Sequence, residues 1–329
     1  MKALSIVISV VILAVIYARV DPAQLGRALA DLKLGWLALA ALCFVPQMAL
    51  SAFRWRWIAR DVRAVGGGES WEHVLASHTL NVILPSKMGD LAKGYFLTRD
   101  TGVPLARGLL LATAEKLLDL GSLCLLLLTA CAWFRPRLDL LTLPALVLAA
   151  GVLIFVVAAL ALPIPAPLAA ALPARVGRLV ADWGAVRASW WSRPVWLTAV
   201  LALTVVLWVA HLVQIHLFFL AAGSRPDALK VYALTPVALL AGLVPVTLAG
   251  FGTRDAALLY LFAGDGTPAV LASVGLLTGS RYVIPALAGL PFLPRALRAR
   301  AAIEQAAAEP GINTPPTGPG SASAGRSRP

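Results

Sequence analysis

Residues 141 to 162 read LTLPALVLAAGVLIFVVAALAL, without one charged side chain. A helix of that length crosses the roughly 30 Å hydrocarbon core of a bilayer. Comparable runs occupy residues 3 to 19, 35 to 53, 117 to 134, 195 to 221 and 267 to 293. In lipid a backbone must satisfy its own N–H and C=O groups, and a helix does so within one segment. The fold class expected is an all-α polytopic membrane protein with about six transmembrane helices. Composition agrees: 60% of the 329 residues are hydrophobic and 13% charged, with a mean hydropathy of +0.83. A soluble domain carries about a quarter charged residues.

Two further apolar stretches, 73 to 97 and 232 to 263, are each interrupted near the middle, by LPSKMGD and by PVTLAGFGTRD. Pro, Gly and charge break a helix there, and irregular backbone at membrane depth is tolerated only inside protein or beside a wet cavity. Both are expected to be re-entrant broken-helix hairpins. The distribution of basic residues supports this: with the N-terminus cytoplasmic, 19 Lys and Arg fall inside and 8 outside, and Arg281 stays within the membrane. Both termini are then cytoplasmic. Span, re-entrant stretch and span recur with opposite orientation, so the chain is expected to hold an inverted repeat, an architecture that places binding sites at the midplane where the breaks meet.

The domain expectation follows. Residues 1–294 form the transmembrane domain, with repeat one at about 35–134 and repeat two at about 195–293. A basic linker rich in proline, 163–194, joins them. Residues 295–309 form a short basic cytoplasmic helix and 310–329 a disordered Pro, Gly and Ser tail. No A-x-A site follows the first apolar run, so it is expected to be an uncleaved span. The formal net charge of +12 would suggest nucleic acid in a soluble protein. Here the basic residues lie between spans, where they set topology and meet anionic lipid, and no nucleic-acid partner is expected. Cys43, Cys124 and Cys131 lie in apolar segments without a CxxC and read as small core residues.

Candidate binding chemistry concentrates at the breaks. In NVILPSKMGDLAKGY, Pro85 breaks the helix and Ser86 can cap its restart. Lys87 then lies in the first turn, and Asp90 and Lys93 follow one turn apart. A helix N-terminus beside a lysine suits a phosphate; a local Lys87–Asp90 pair is the plainer alternative. In LVPVTLAGFGTRDAALLYLF, Gly250 and Gly252 permit a tight turn, Thr253 can cap, and Arg254 and Asp255 open the next helix. A loop of small residues for close packing would explain this stretch equally. In AEKLLDLGSL, Glu115 and Asp119 share a helix face and Lys116 lies three residues before Asp119. Charges at such depth are costly unless paired or wet. Arg281, in LLTGSRYVIPALAGL, needs an acidic partner, with Asp119, Asp90 or Asp255 the candidates, or else an anionic ligand. His211 and His216 do not share a face and suit interhelical hydrogen bonds better than a metal. No GxSxG, HExxH, Walker loop or acidic metal pair occurs, so neither covalent catalysis, a metal nor a cofactor is expected.

The blocks SAFRWRWIAR, NVILPSKMGDLAKGYFL, AEKLLDLGSL, LAGFGTRDAALLYLF and GSRYVIPALAGLP occur in an order and at a spacing that resembles the lysylphosphatidylglycerol synthase transmembrane-region family. That family is also described as flippase-like and includes the membrane half of the multiple peptide resistance factor. The resemblance spans the chain to about residue 295. It implies lipid translocation, with membrane lipids as partners and the cytoplasmic inner membrane as location. The family blocks fall on Asn81, Pro85, Gly89, Asp90, Glu115, Lys116, Asp119, Gly250, Gly252, Thr253, Arg254, Asp255 and Arg281. The family often has Arg where Lys116 stands and Glu where Asp255 stands; Lys loses the bidentate grip of Arg on phosphate. A chain ending at 329 is not expected to hold an aminoacyltransferase domain.

The expected function is movement of an anionic or phosphate-bearing lipid, whether phospholipid, hopanoid or polyprenyl-linked, between leaflets, by a protein that is not an enzyme. Asn81, Pro85, Ser86, Lys87, Gly89, Asp90, Lys93 and Gly250, Gly252, Thr253, Arg254, Asp255 would bind substrate. Glu115, Lys116, Asp119 and Arg281 would form a charge network. Two alternatives stay open: an integral-membrane glycosyl or lipid transferase, and an accessory subunit partnered with a lipid-synthesis enzyme. The sequence leaves the oligomeric state open.

Overall fold

The computed structural model describes residues 2–18, 20–83, 89–99, 101–135, 142–165, 167, 171–243, 250–295, 297–299 and 301. Among them there is no strand. The helices in order are α1 (Lys2–Ala18), α2 (Pro22–Ala30), α3 (Leu34–Leu42), α4 (Phe44–Ala59), α5 (Gly67–Ile83), α6 (Ala92–Thr98) and α7 (Leu105–Phe134). There follow α8 (Thr142–Ala161), α9 (Ala174–Trp191), α10 (Pro194–Ala221), α11 (Ala228–Ala241), α12 (Thr253–Leu261) and α13 (Pro268–Ala288). Among the described residues five helical spans are long and apolar enough to cross a membrane: Leu34–Ala59, which joins α3 to α4, and α7, α8, α10 and α13. Helix α1, at 17 residues, covers the first expected span. The chain is an integral, all-helical polytopic membrane protein.

Helix starts follow capping chemistry. Asp21 accepts from the Ala23 N–H at 2.8 Å ahead of Pro22, and Asp227 accepts from Lys230 N–H at 3.1 Å. Thr267 Oγ1 accepts from Val270 N–H at 3.3 Å with Pro268 as the first residue of α13. These groups satisfy donors that a helix start leaves unpaired.

Both interrupted stretches are helix–break–helix units. α5 and α6 pack on each other, and so do α11 and α12. Their outer contacts are exchanged between the halves: α5 packs heavily on α13, the last span of the second half, and α11 on α7, the last span of the first. α6 in turn lies on α7, and α12 on α13. This reciprocal packing is what an inverted repeat produces.

The hairpin mouths lie at opposite ends of the bundle, as α10 shows. At 28 residues it is roughly 42 Å long. Beside its start, Arg193 Nη2 donates to the buried Asp61 at 2.8 Å, and Asp61 also accepts from Arg107 Nη2 at 3.2 Å and Ser189 Oγ at 2.5 Å. Arg107 lies in the first turn of α7, which follows α6. At the far end of α10, Lys33 N–H donates to Ala221 O at 2.8 Å, and Ser224 Oγ donates to Asp265 O, just past α12, at 2.8 Å.

Close backbone approach fixes the first hairpin. A Cβ on Gly94 would lie 2.4 Å from Gly108 O, so α6 and α7 touch main chain to main chain. Two glutamines cross between the halves: Gln47 Nε2 donates to Ala210 O at 3.0 Å, and Gln214 Nε2 to Ala40 O at 2.9 Å. Such bonds join spans that lipid gives no hydrophobic reason to associate.

The stretch expected as a linker holds an 18-residue helix, α9, packed on α7 and α10 with Val186 and Trp190 buried. Of the expected 295–309 helix, residues 295, 297–299 and 301 are described and helical; the tail 310–329 lies outside the described residues. Cys124 and Cys131 are buried and Cys43 half-buried, all as free thiols.

Candidate functional site

A cavity lined by six charged side chains lies halfway along the bundle. Leu207, Trp208 and His211, at the middle of α10, line one wall, and α4, α5, α6, α7 and α13 supply the others. Its volume is about 120 Å³. That is too little for a whole lipid and suits a polar group inserted from one side.

Helical periodicity aims the polar residues at this point. Gln47, Ser51 and Arg54 recur four and three residues apart on α4, and Thr204, Trp208 and His211 on α10. Arg54, 2% exposed, is the hub. Its Nη2 donates to Glu115 Oε1 at 2.8 Å and its Nη1 to Asp119 Oδ1 at 2.5 Å, with Thr204 Oγ1 at 3.3 Å. Glu115, 0% exposed, also pairs with Lys93. Asp119 further accepts from Trp208 Nε1 at 3.2 Å and lies 3.8 Å from Lys116. Lys116 pairs with Asp90, which places the first residue pair after the break of hairpin one against α7. Lys93 also lies 5.2 Å above the Trp55 ring, a cation–π contact.

Arg281 completes the wall. Its Nε and Nη1 are buried without a hydrogen-bond partner among the described residues. The carboxylates expected for it are taken: Asp119 by Arg54, Asp90 by Lys116, and Asp255 by Arg254. Among the described residues, Arg54, Lys93, Lys116 and Arg281 therefore face Asp90, Glu115 and Asp119, four cations against three carboxylates and a surplus of one positive charge. Burying an uncompensated guanidinium is costly, so an arrangement that keeps one favours an anion. The side-chain oxygen of Asn81, also in this wall, is buried without a donor.

Hairpin two builds a different place. Gly250 and Gly252 hold φ of 80° and 99°, a left-handed backbone that glycine adopts freely. Helix α12 begins at Thr253, so Thr253 is its first residue and Gly252 its cap; the cap N–H is met by Asp255, whose Oδ2 accepts it at 3.0 Å. Arg254, 1% exposed, gives Nε and Nη2 to Asp255 Oδ1 at 3.0 and 2.6 Å and lies over the Phe251 and Tyr282 rings. Arg254, Asp255 and Phe251 line an apolar crevice of about 340 Å³ with Leu13 of α1 and Gly279 of α13. The crevice and the charged cavity flank one helix, with Arg281 and Tyr282 facing the cavity and Ser280 and Val283 the crevice.

The chain matches the family described as "Lysylphosphatidylglycerol synthase TM region" over residues 2–289. It belongs to that family. No curated protein matches it. Membership of the lysylphosphatidylglycerol synthase transmembrane-region family connects the chain to membrane-lipid function. Within this family member, Asn81, Asp90, Lys93, Lys116, Asp119 and Arg281 converge on the charged cavity, with Glu115 behind them. Gly89 lies buried where the chain returns against α5. Gly250, Gly252, Thr253, Arg254 and Asp255 form the tip of hairpin two. Pro85, Ser86 and Lys87 lie outside the described residues, as does the capping expected of Ser86.

Sequence reasoning missed Arg54 and Trp208 as site residues. Arg54 counted only towards loop charge, yet the polar stripe Gln47, Ser51, Arg54 through a span carried the signal. Among the described residues no group of His, Cys, Asp and Glu is arranged to hold a metal.

Proposed function

We propose that this protein moves a lipid with a phosphodiester headgroup between the two leaflets of the membrane it spans. The headgroup enters the cavity bounded by α4, α5, α6, α7, α10 and α13, and the acyl chains remain in the bilayer. The observation that carries this reading is Arg281, half-buried, whose Nε and Nη1 are buried without a partner among the described residues, at a cavity whose described carboxylates are engaged by other cations. A phosphodiester bears one negative charge, which matches the surplus of one positive charge there. Asn81 and Lys116, on the same wall, supply further polar contact. The network offers Arg54 both Glu115 and Asp119 and Lys116 both Asp90 and Asp119, so pairs can exchange as access alternates.

In this reading the protein is a transporter, placed in the cytoplasmic membrane with both termini inside. Purified protein in liposomes tests it by the accessibility of fluorescent phosphatidylglycerol, phosphatidylethanolamine and an isoprenoid phosphate to an external quencher. Faster loss of protected lipid with wild-type protein, abolished by Arg281→Gln, is the expected result. Leaflet exchange no faster than in empty liposomes for every lipid tried would overturn it. Turnover of a labelled glycosyl or acyl donor by the same preparation, lost in Asp90→Asn, would favour a transferase instead.

A further inference from the structure

Helix α9 lies across the end of a span and not beside one. Trp183 Nε1 donates to Ala159 O at 3.0 Å, Arg187 Nη1 to Ala161 O at 3.2 Å and Trp191 Nε1 to Leu160 O at 2.7 Å. The outer donors stand about 12 Å apart along α9, while the acceptors are three consecutive carbonyls in the last turn of α8. Helices running side by side would pair such groups along their length; these converge on one end. They also satisfy carbonyls that a helix terminus leaves open. Helix α8 is long and apolar enough to span the hydrocarbon, so its end lies at the boundary of the bilayer and α9 lies along that boundary. At 18 residues, α9 is not among the helices apolar enough to cross.

The residues of this stretch suit an interface. Four of the ten tryptophans fall between positions 183 and 196, and tryptophan settles at headgroup level. Val176, Leu179, Trp183, Val186 and Trp190 follow at steps of three and four and form one stripe along α9. The second half of the stripe is covered by protein: Val186 and Trp190 are buried in the cluster that α7 and α10 share. The first half is not, with Val176 41% and Leu179 45% exposed. Leu162 and Ile164, between α8 and α9, are exposed as well. The first turns of α9 thus reach past the bundle with their apolar side in line with the buried one. Ala181 and Ala185 on the opposite face are exposed. The charged residues of α9 are Arg175, Arg178 and Arg187 against Asp182 alone.

We propose that α9 is an interfacial helix, its second half docked on the bundle and its first half resting on an anionic bilayer surface. Val176 and Leu179 then lie among the acyl chains, and the basic side chains meet the headgroups. A helix with Trp and Leu on one face and Arg beside them holds such a surface by buried apolar area and by attraction to anionic lipid. The overhang continues along the boundary fixed by the end of α8, where lipid begins, and this selects a bilayer over a protein as its occupant. Because α9 joins the halves of the chain and packs on a span of each, α7 and α10, the grip anchors their junction to the membrane. This goes beyond the transport reading and does not depend on it.

The test replaces Cys43, Cys124 and Cys131 with Ala and uses Val176→Cys, Leu179→Cys, Ala181→Cys and Ala185→Cys singly, all at exposed positions that leave the docked face intact. Each is labelled with bimane in nanodiscs, and quenching by phosphatidylcholine brominated on its acyl chains is measured. Quenching at 176 and 179 should exceed that at 181 and 185 by about threefold or more. Equal quenching at all four positions overturns the bilayer as occupant. Brominated phosphatidylglycerol, as a minority of the lipid, should quench Leu179→Cys about twofold more than the same fraction of brominated phosphatidylcholine. That excess should shrink with Arg178→Gln and at high salt. No excess at low salt overturns the anionic headgroup as partner. Shielding of 176 and 179 without lipid quenching, in a species of twice the mass by native mass spectrometry, overturns the proposal and assigns the stripe to a second copy.

Discussion

Arg54 and Arg281 are guanidiniums facing the same cavity, and their surroundings give them opposite roles. Arg54 holds Glu115 and Asp119 at 2.8 and 2.5 Å. Changing it to Gln leaves the buried Glu115 with Lys93 alone and the half-buried Asp119 with only Lys116 at 3.8 Å and Trp208, and breaking a buried ion pair from one side costs about 3–5 kcal/mol. Arg281 holds no carboxylate among the described residues, and its Nε and Nη1 are unpaired. Arg281→Gln therefore removes a desolvated charge without stranding a partner, and thermal melting in detergent should show stability kept or raised while lipid movement falls. Arg54→Gln should melt well below wild type. A large loss of stability in Arg281→Gln would mean that the residue has a structural partner and no vacancy for an anion. Arg281 was legible in the sequence because a lone charge inside an apolar run stands out. Arg54 was not, because it follows the apolar run directly and resembles the loop arginines after it, and only the spacing from Gln47 and Ser51 places it on the inward face.

At the scale of elements, both breaks were legible because Pro and Gly interrupt otherwise apolar stretches. What they pack against was not, since packing partners leave no mark in a single sequence. Gly94 is the exception, its role being set by geometry. A methyl on it would lie 2.4 Å from Gly108 O, and a reciprocal one on Gly108 would lie 2.2 Å from Gly94 O. Gly94→Ala must push α6 off α7, and with it the Lys93–Glu115 pair, a change of the overpacking kind worth about 1–3 kcal/mol. Gly151, in the middle of α8, meets nothing within 4 Å, so Gly151→Ala should be neutral or stabilising by up to about 1 kcal/mol from helix propensity alone. Melting temperatures of the two variants give the comparison, and a Gly94→Ala protein as stable as Gly151→Ala would argue against close docking of the hairpin. Helix α9 escaped notice for a different reason. The four prolines at 163, 165, 167 and 173 dominate that stretch, while the segment after them spaces Val186 and Trp190 four residues apart on its buried face.

At the scale of the whole molecule, the exchanged packing of α5 on α13 and of α11 on α7 means that neither half is complete without the other. Alternating access in such a frame requires one half to rock against the other, so these two seams must slide or open. Both can be locked covalently. Thr79 Oγ1 donates to Ala286 O at 2.9 Å across the first seam, and the native Cys131 thiol lies 3.7 Å from Ala233 O across the second. With Cys43 and Cys124 changed to Ala, the single substitution Ala233→Cys should yield a disulfide with Cys131 on oxidation. The pair Thr79→Cys and Ala286→Cys should do the same at the other seam once Cys131 is also replaced. Each bond would hold α11 on α7 or α5 on α13, and reconstituted protein should lose lipid exchange on oxidation and regain it with reductant. Because the seams are related by the repeat, both locks should act alike. Full exchange with either disulfide formed, as judged by thiol labelling, would show that the halves do not move there and that access to Arg281 alternates, if it does, by motion of the hairpins alone.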